Sequence, residues 1–551
     1  MVKKLKMTAA KAMTECIRRE EVRKVFCVPG ESFLPVLDAL YDDQFIDLIS
    51  ARHEGGAAFM AEAYAKATGK PGVVFATRGP GAANVSIGVH TAYYDSTPMV
   101  VFIGQVSRKH RGREAFQEVD FDRFFRPVTK WTVEIREAER IPEIVTRAFR
   151  IARSGRPGPV VVSLPEDVLH EECIMQFGPK TTIPRPAPSL SEVRRIEQIL
   201  SNAKRPLIIA GAGVKYAKAE NILLEFAEKF RLPVMAAFRR HDVFPNQHPL
   251  YAGHLGLGTP DEIVNNAKEA DVILAFGTQL SEITTQNYSI LDLNKKLIHI
   301  DIDYETIGRV FPPDVGVVSD LNEALQLIIN INLKIRWKSW VKKLRSRFEK
   351  SVHLKITEKD PIYKKAIAIL KEYLPDYSLI TSDAGNFSGW LHRYYVFEEK
   401  HSYIGPASGA MGYGLPAAIG AKLALPNKTV VSLSGDGGFM MTAQEMETAV
   451  RYNIPVTAIV FNNQMYGTIR MHQEKHYPNR VIGTGLGFVS FKDMAIHMGA
   501  KAYQAGTADE FRNALTHAIA GNKPAVIEVP ADQEHISVTD TITSLRKKVN
   551  D

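Results

Sequence analysis

Short apolar runs alternate with stretches of helical periodicity along most of this chain. Up to about residue 170 the runs are Val25–Val28, Val73–Ala76, Met99–Ile103 and Val160–Leu164. Such alternation predicts a parallel sheet with helices on both faces. A proline-rich polar seam, Gly178–Ser191, reads as a linker. A second block begins with a helix over Ser191–Asn202 and strands over Pro206–Ala210, Val272–Phe276 and Lys296–Ile302. A basic amphipathic stretch after Leu333 reads as a connecting helix. A third block begins near Asp360, with strands over Leu379–Thr381, Thr429–Leu433, Val456–Phe461 and Ala525–Val529. The expected fold is therefore α/β, with three doubly wound parallel-sheet domains over 1–177, 190–335 and 360–545.

Length agrees, since 551 residues divide into about three domains at roughly 100–200 residues each. Net charge is +8, from 69 basic and 61 acidic residues, and the excess is spread along the chain. The densest basic segment, Lys334–Lys350, reads as a solvated helix face rather than a nucleic-acid stripe. No run of about 18 apolar residues predicts a membrane span, and no apolar stretch follows the N-terminal lysines as a signal peptide requires. Cys16, Cys27 and Cys173 form no CxxC pair and read as small hydrophobes in a reduced, cytoplasmic setting.

The third block carries the most specific chemistry. An apolar strand delivers Gly435–Asp436–Gly437–Gly438 at its C-terminal end, a helix follows, and the next strand ends at Asn462–Asn463. Ligands sit at this edge of open parallel sheets, and glycine N–H groups at a helix start suit a phosphate. Asp436 is placed to bind Mg²⁺, with the Asn463 side chain and the Met465 carbonyl as further oxygens. Gly437 and Gly438 offer N–H groups to the diphosphate.

The segment from Gly435 to Asn463 resembles the signature of thiamine diphosphate (ThDP) enzymes of the decarboxylase and acetohydroxyacid synthase superfamily. The resemblance covers nearly the whole chain, in the order pyrimidine-binding, central and diphosphate-binding domain, and is greatest to acetolactate synthase large subunits. It implies that Glu54, in Arg52–His53–Glu54–Gly55–Gly56, is the carboxylate that activates the cofactor through N1′ of its pyrimidine. It also implies a homo-oligomer in which Glu54 of one chain meets Asp436 of another. In Ser408–Gly409–Ala410–Met411–Gly412, Met411 matches the apolar wedge that bends the cofactor, and the Gly409 carbonyl matches the 4′-amino acceptor. Gly30 matches a tight turn near the reacting carbon. Gly385 and Asn386, after the strand at Leu379–Thr381, are further diphosphate contacts.

On the substrate side, Phe116–Gln117–Glu118 resembles the synthase loop in which Gln117 faces the reaction centre and Phe116 lines the pocket for a 2-oxo acid. Glu31 and His472 are candidate substrate contacts at positions where this chain departs from the family. Gln279–Ile283 replaces an Arg-Phe-Asp-Asp-Arg run that helps position FAD, while Gly211–Ala212–Gly213 and Gly253–Gly256 resemble parts of a flavin site, so FAD stays open. The expected activity is decarboxylation of a 2-oxo acid followed by carboligation. A non-carboligating decarboxylase, a flavin-dependent oxidase and a non-catalytic ThDP sensor or scaffold are the alternatives.

Overall fold

A computed structural model describes residues 3–550, apart from Thr181 and Leu293. Among these residues lie three six-stranded sheets, all parallel, and one two-stranded antiparallel ribbon. The ribbon pairs Lys3–Thr8 with Glu172–Phe177 and so ties the two ends of the first domain together. The apolar runs read from the sequence are strands at Lys24–Cys27, Gly72–Ala76, Met99–Gln105 and Pro159–Pro165, then Pro206–Ala210, Val272–Phe276 and Lys296–Asp301, then Leu379–Ser382, Val430–Gly435, Val456–Asn462 and Ala525–Pro530. Their near-continuous burial is what a sheet covered on both faces requires.

Numbered within each domain, the first sheet runs 2-1-3-4-6-5, and the third runs in the same order. The first and third blocks are thus the same α/β unit used twice. The central sheet runs 3-2-1-4-5-6, the doubly wound dinucleotide-binding order. In each case strand order reverses beside the first strand, and the crevice at the C-terminal ends there is where an open α/β sheet holds a ligand.

Helix Glu54–Thr68 joins the first domain to the third. Its sequence, EGGAAFMAEAYAKAT, is small or apolar on nearly every side, and almost all of it is buried. It packs against helix Gly414–Ala424, and the two share one hydrophobic cluster with the sheets of both domains. The crossing needs glycine at 420, because a Cβ there would lie 2.0 Å from the Met60 carbonyl oxygen.

The basic stretch forms helix Lys338–Ser351, with its basic face in solvent and its apolar stripe against the central domain. Trp340, Leu344 and Phe348 are buried in the central core, and the Trp340 indole donates to the Pro206 carbonyl at 3.0 Å. Amphipathic periodicity showed an apolar stripe but not its partner, and only the basic face meets solvent. Cys16 and Cys27 are buried, Cys173 is half-buried, and all three are free. No helix among the described residues is long and apolar enough to cross a membrane.

Candidate active site

The strands Leu379–Ser382 and Val430–Gly435 flank the order reversal in the third sheet. Asp383 follows the first and Asp436 the second, so both carboxylates stand at one crevice. Asp436 opens helix Asp436–Thr442 and is buried. Burial pushes its carboxyl up to about 6, against the pull of the facing N–H groups of Gly437, Gln464 and Met465. Asn463 follows the neighbouring strand Val456–Asn462, and its Oδ1 accepts from the Met465 N–H at 3.3 Å. The chain turns sharply here, with Gln464 at φ +56°. The Gln464 carbonyl accepts from Leu486 N–H at 2.8 Å and Tyr466 N–H donates to the Thr484 carbonyl at 2.9 Å, which fixes the Met465 peptide between them. Asp436, Asn463 and Met465 therefore meet at one turn, where the Met465 N–H serves both side chains and a buried carboxylate offers the oxygen chemistry a hard divalent cation takes.

Asp383 has a different task from the phosphate contact expected of its segment. It is fully buried, and burial raises its carboxyl to about 6. Its oxygens accept from Ala384 N–H at 2.7 Å and Gly412 N–H at 3.1 Å. A Cβ on Gly438 would lie 2.7 Å from Asp383 Oδ2. Asp383 thus clamps the turn at Gly437–Gly438 to the loop Gly409–Gly412. Gly409 has φ +73° with open space on the side a Cβ would occupy, and Met411 is half-buried and belongs to no core cluster.

Gly385 lies beside Phe387 in this crevice. Asn386 is engaged by the protein itself. Its Nδ2 donates to the Ile536 carbonyl at 2.8 Å and its Oδ1 accepts from Thr468 at 3.0 Å. Asn386 thus braces the segments carrying Ile536 and Thr468, with one acceptor site of its amide oxygen left over.

In the first sheet the reversal lies between Lys24–Cys27 and Gly72–Ala76. Gly30 sits there against Thr77, with room for no Cβ (2.6 Å to Thr77 Cβ). Glu54 starts its helix one strand away and is buried. The ring of His53 caps that helix by accepting from Gly55 N–H at 3.0 Å. Asn84 Nδ2 donates to Glu54 Oε2 at 2.9 Å. Cys27 feels this site: its thiol is pushed up to about 12, first by burial and then by the Glu54 charge.

Within one chain Glu54 and Asp436 keep separate company. The turn before Glu54 is instead held by Glu445, on the helix after that of Asp436. Glu445 accepts from the N–H groups of Arg52 and His53 at 3.0–3.2 Å and from Thr448 at 2.7 Å. Burial raises Glu445 to about 7.

The substrate candidates are less gathered. Gln117 is half-buried, with φ +65°, and its carbonyl accepts from Gly79 N–H at 3.1 Å, which places it at the start of the Asn84 helix. Phe116 is 75% exposed. Glu118 organises their loop by accepting from Arg111, Gly112 and Ala115. Glu31 is 74% exposed on its side chain, near Arg78. His472 is exposed on helix Gly467–His476, stacked on His476. Asn84 and Glu445 were missed in the sequence, and Asp383 was read only as part of the run Asp383–Asn386 that could contact phosphate.

The central domain adds a cavity of about 320 Å³ at its own order reversal. Gly211 and Gly213 meet Gly277 there backbone to backbone, and Asp301, raised by burial to about 6, ends the next strand over.

Three family models match in chain order. The thiamine pyrophosphate enzyme N-terminal TPP binding domain covers residues 7–124, the central domain 193–328, and the C-terminal TPP binding domain 383–529. The chain is 34% identical to the probable acetolactate synthase large subunit of Methanocaldococcus jannaschii, over 96% of this chain and 92% of that one. It is 35% identical to the acetolactate synthase large subunit of Lactococcus lactis subsp. lactis, over 87% and 85%. It is 33% identical to the acetolactate synthase isozyme 3 large subunit of Escherichia coli, over 96% of each.

Proposed function

Because the chain belongs to the thiamine pyrophosphate enzyme family, as an enzyme related to acetolactate synthase large subunits, we propose that it uses ThDP and Mg²⁺ to decarboxylate a 2-oxo acid and join the remainder to a second one. ThDP, when bound, supplies a thiazolium carbon that adds to the substrate's 2-carbonyl and holds the electron pair released with CO₂. The observation that carries the reading is that one chain holds both a buried, Asn84-held Glu54 and a buried Asp436 turn.

Each residue then has a limited task. Glu54 holds a proton at N1′ of the cofactor's pyrimidine, in a site closed to water. Asn84 fixes which Glu54 oxygen faces it. Asp436, Asn463 and the Met465 carbonyl hold Mg²⁺, while the N–H groups of Gly437 and Gly438 take the diphosphate. The Gly409 carbonyl would accept from the cofactor's amino group, and Met411 would pack against its apolar surface. Gly30 leaves room at the reacting carbon. Gln117 orients the substrate oxygens, and Phe116 closes the pocket over them.

Two copies of the chain complete the site. Ile87, on the Asn84 helix, and Met440 and Met441, on the Asp436 helix, are exposed apolar residues beside the two half-sites. Exposed apolar faces flanking incomplete sites are what a symmetric dimer covers. The three free cysteines fit a reduced cytoplasm.

A flavin-dependent reading draws on one observation, the crevice at Gly211, Gly213 and Asp301 in a 3-2-1-4-5-6 sheet. The test is product analysis with pyruvate, ThDP and Mg²⁺, with and without FAD, beside Glu54→Gln. Acetolactate that vanishes in the variant supports carboligation. Acetaldehyde or peroxide moves the protein to the decarboxylase or oxidase branch. ThDP binding without turnover of any 2-oxo acid in a panel supports a sensor or scaffold.

A further inference from the structure

A second cavity, of about 240 Å³, lies where all three domains meet. Lys66 enters it from the first domain, Lys215, Lys218, Arg239 and Arg240 from the central domain, and Lys400 from the third. Four carboxylates line or back it. Lys66 pairs with Glu62 at 2.9 Å and with Asp95, Lys215 pairs with Asp242 at 2.6 Å, and Glu220 lies on the wall. Six cations against four acids leave two positive charges in excess.

Lys218 and Lys400 stand at the exposed mouth, while two arginines lie deep in the wall. Arg239 and Arg240 are 5% and 9% exposed. Among the described residues neither guanidinium has a carboxylate oxygen within 4.0 Å, and Arg239 Nε has no hydrogen-bond partner. Their other donors go to neutral acceptors: Arg239 to Tyr403 Oη at 2.7 Å and the Asp383 carbonyl at 3.3 Å, Arg240 to the carbonyls of Arg239 at 2.9 Å and Asp95 at 3.4 Å. Asp95 and Glu62 support the Arg240 charge from beyond hydrogen-bond reach, whereas Arg239 Nε stays unpartnered, and a phosphate offers such donors matched oxygens. His401 on the same wall is held neutral, its imidazolium brought down to about 4 by burial and by Lys215.

We propose that this junction cavity binds a phosphate dianion or small phosphomonoester, and that occupancy is felt by the loop carrying Gly409 and Met411. The volume is below the ~300–1,000 Å³ of sites for drug-sized ligands, which favours a small phosphorylated metabolite over a dinucleotide. The connection is short. Lys66 donates to the Gly405 carbonyl at 3.3 Å, and its partner Asp95 accepts from Ala407 N–H at 3.2 Å and Ser408 N–H at 3.1 Å. Arg239 holds the carbonyl of Asp383, whose carboxylate holds Gly412. An anion that draws on Lys66 or Arg239 therefore pulls on both ends of that loop. The second half of the proposal rests on the thiamine reading of the loop.

The test is calorimetric titration of the full chain with inorganic phosphate and with glycerol 3-phosphate, each in the presence and absence of saturating ThDP and Mg²⁺. One site per chain is expected. Lys400→Glu, an exposed change that spares the core, weakens it at least about tenfold, the size of a lost charge-assisted hydrogen bond. Arg156→Glu, in the neighbouring central crevice only, leaves it unchanged. Tighter binding of the ester identifies a metabolite ligand, and tighter binding of phosphate identifies the free ion. No saturable heat, or affinity indifferent to Lys400→Glu, overturns the site. Equal affinity with and without ThDP overturns the coupling alone, since linkage must be reciprocal. Phosphate binding by a protein that takes up no ThDP leaves the site standing and removes the thiamine reading.

Discussion

Asn84 donates its side-chain amide to Glu54 Oε2 at 2.9 Å, between two helices that leave adjacent parts of the same sheet edge. The bond leaves Oε1 facing the turn at Gly81, 3.1 Å from where a Cβ on that glycine would be. Glu54→Gln should lower turnover by at least about 10²-fold, the scale of a lost general acid–base group, with ThDP affinity largely kept. Asn84→Ala should lower turnover about tenfold with little change in KM, as expected of a positioning residue. Steady-state kinetics beside ThDP fluorescence quenching separates the two effects, and an unimpaired Glu54→Gln enzyme would sink the assignment.

Protons should compete with the metal. The Asp436 carboxyl stands at about 6, so below that pH a cation must displace a proton to bind. Mg²⁺ affinity is expected to fall as pH drops from 7.5 to 5.5, and Asp436→Asn should weaken it at every pH. Mg²⁺-dependent ThDP binding measured across that range tests both, and a pH-independent affinity in the parent chain would count against Asp436 as a ligand.

Met411→Ala should lower turnover far more than ThDP affinity. The side chain lies between two left-handed glycines, Gly409 at +73° and Gly412 at +79°, and outside the core clusters. Truncation should therefore leave the melting temperature nearly unchanged. A loss confined to stability would return Met411 to an ordinary packing role.

Glu445 gives a stability signature. Its carboxyl is raised from 4.5 to about 7 in the folded chain. Between those values the folded state binds the extra proton, so stability falls as pH rises from about 4.5 to about 7 and stays lower above that. Glu445→Gln keeps an acceptor for Arg52 and His53 N–H and should reduce the fall of melting temperature between pH 5 and 8, leaving the share of the raised Asp301, Asp383 and Asp436 carboxyls. A slope unchanged in the variant would place its origin elsewhere.

Assembly and activity should fail together. Met441→Glu places a charge on the exposed apolar face beside Asp436 without entering the core. Sedimentation velocity is expected to show a smaller species, with specific activity falling in step. Full activity in a monomer would refute a shared site.

Much of this protein was legible in its sequence because parallel sheets bury strands on both faces. The resulting apolar runs placed most central strands of the three domains to within a few residues, while the edge strands and the terminal ribbon were not read. The turn at Asp436 and the Asn463 strand end were legible for a related reason. Adjacent parallel strands end at one edge, so a carboxylate after one and an amide after the next meet there.

What the tertiary structure decided was which groups meet across the sheets. Asn84 lies thirty positions from Glu54, and Glu445 nearly four hundred from Arg52, so no local pattern links them. Asn386 and His472 sit at plausible strand-end and helix positions, yet one is held by Ile536 and Thr468 and the other faces solvent. The basic helix at Lys338–Ser351 showed its amphipathic stripe in sequence, while its burial against the central core depended on a partner surface built elsewhere. Periodicity and strand-end chemistry are set by the local chain. Satisfaction of a buried polar group depends on whatever the fold brings opposite it, and that is a property of the packed structure alone.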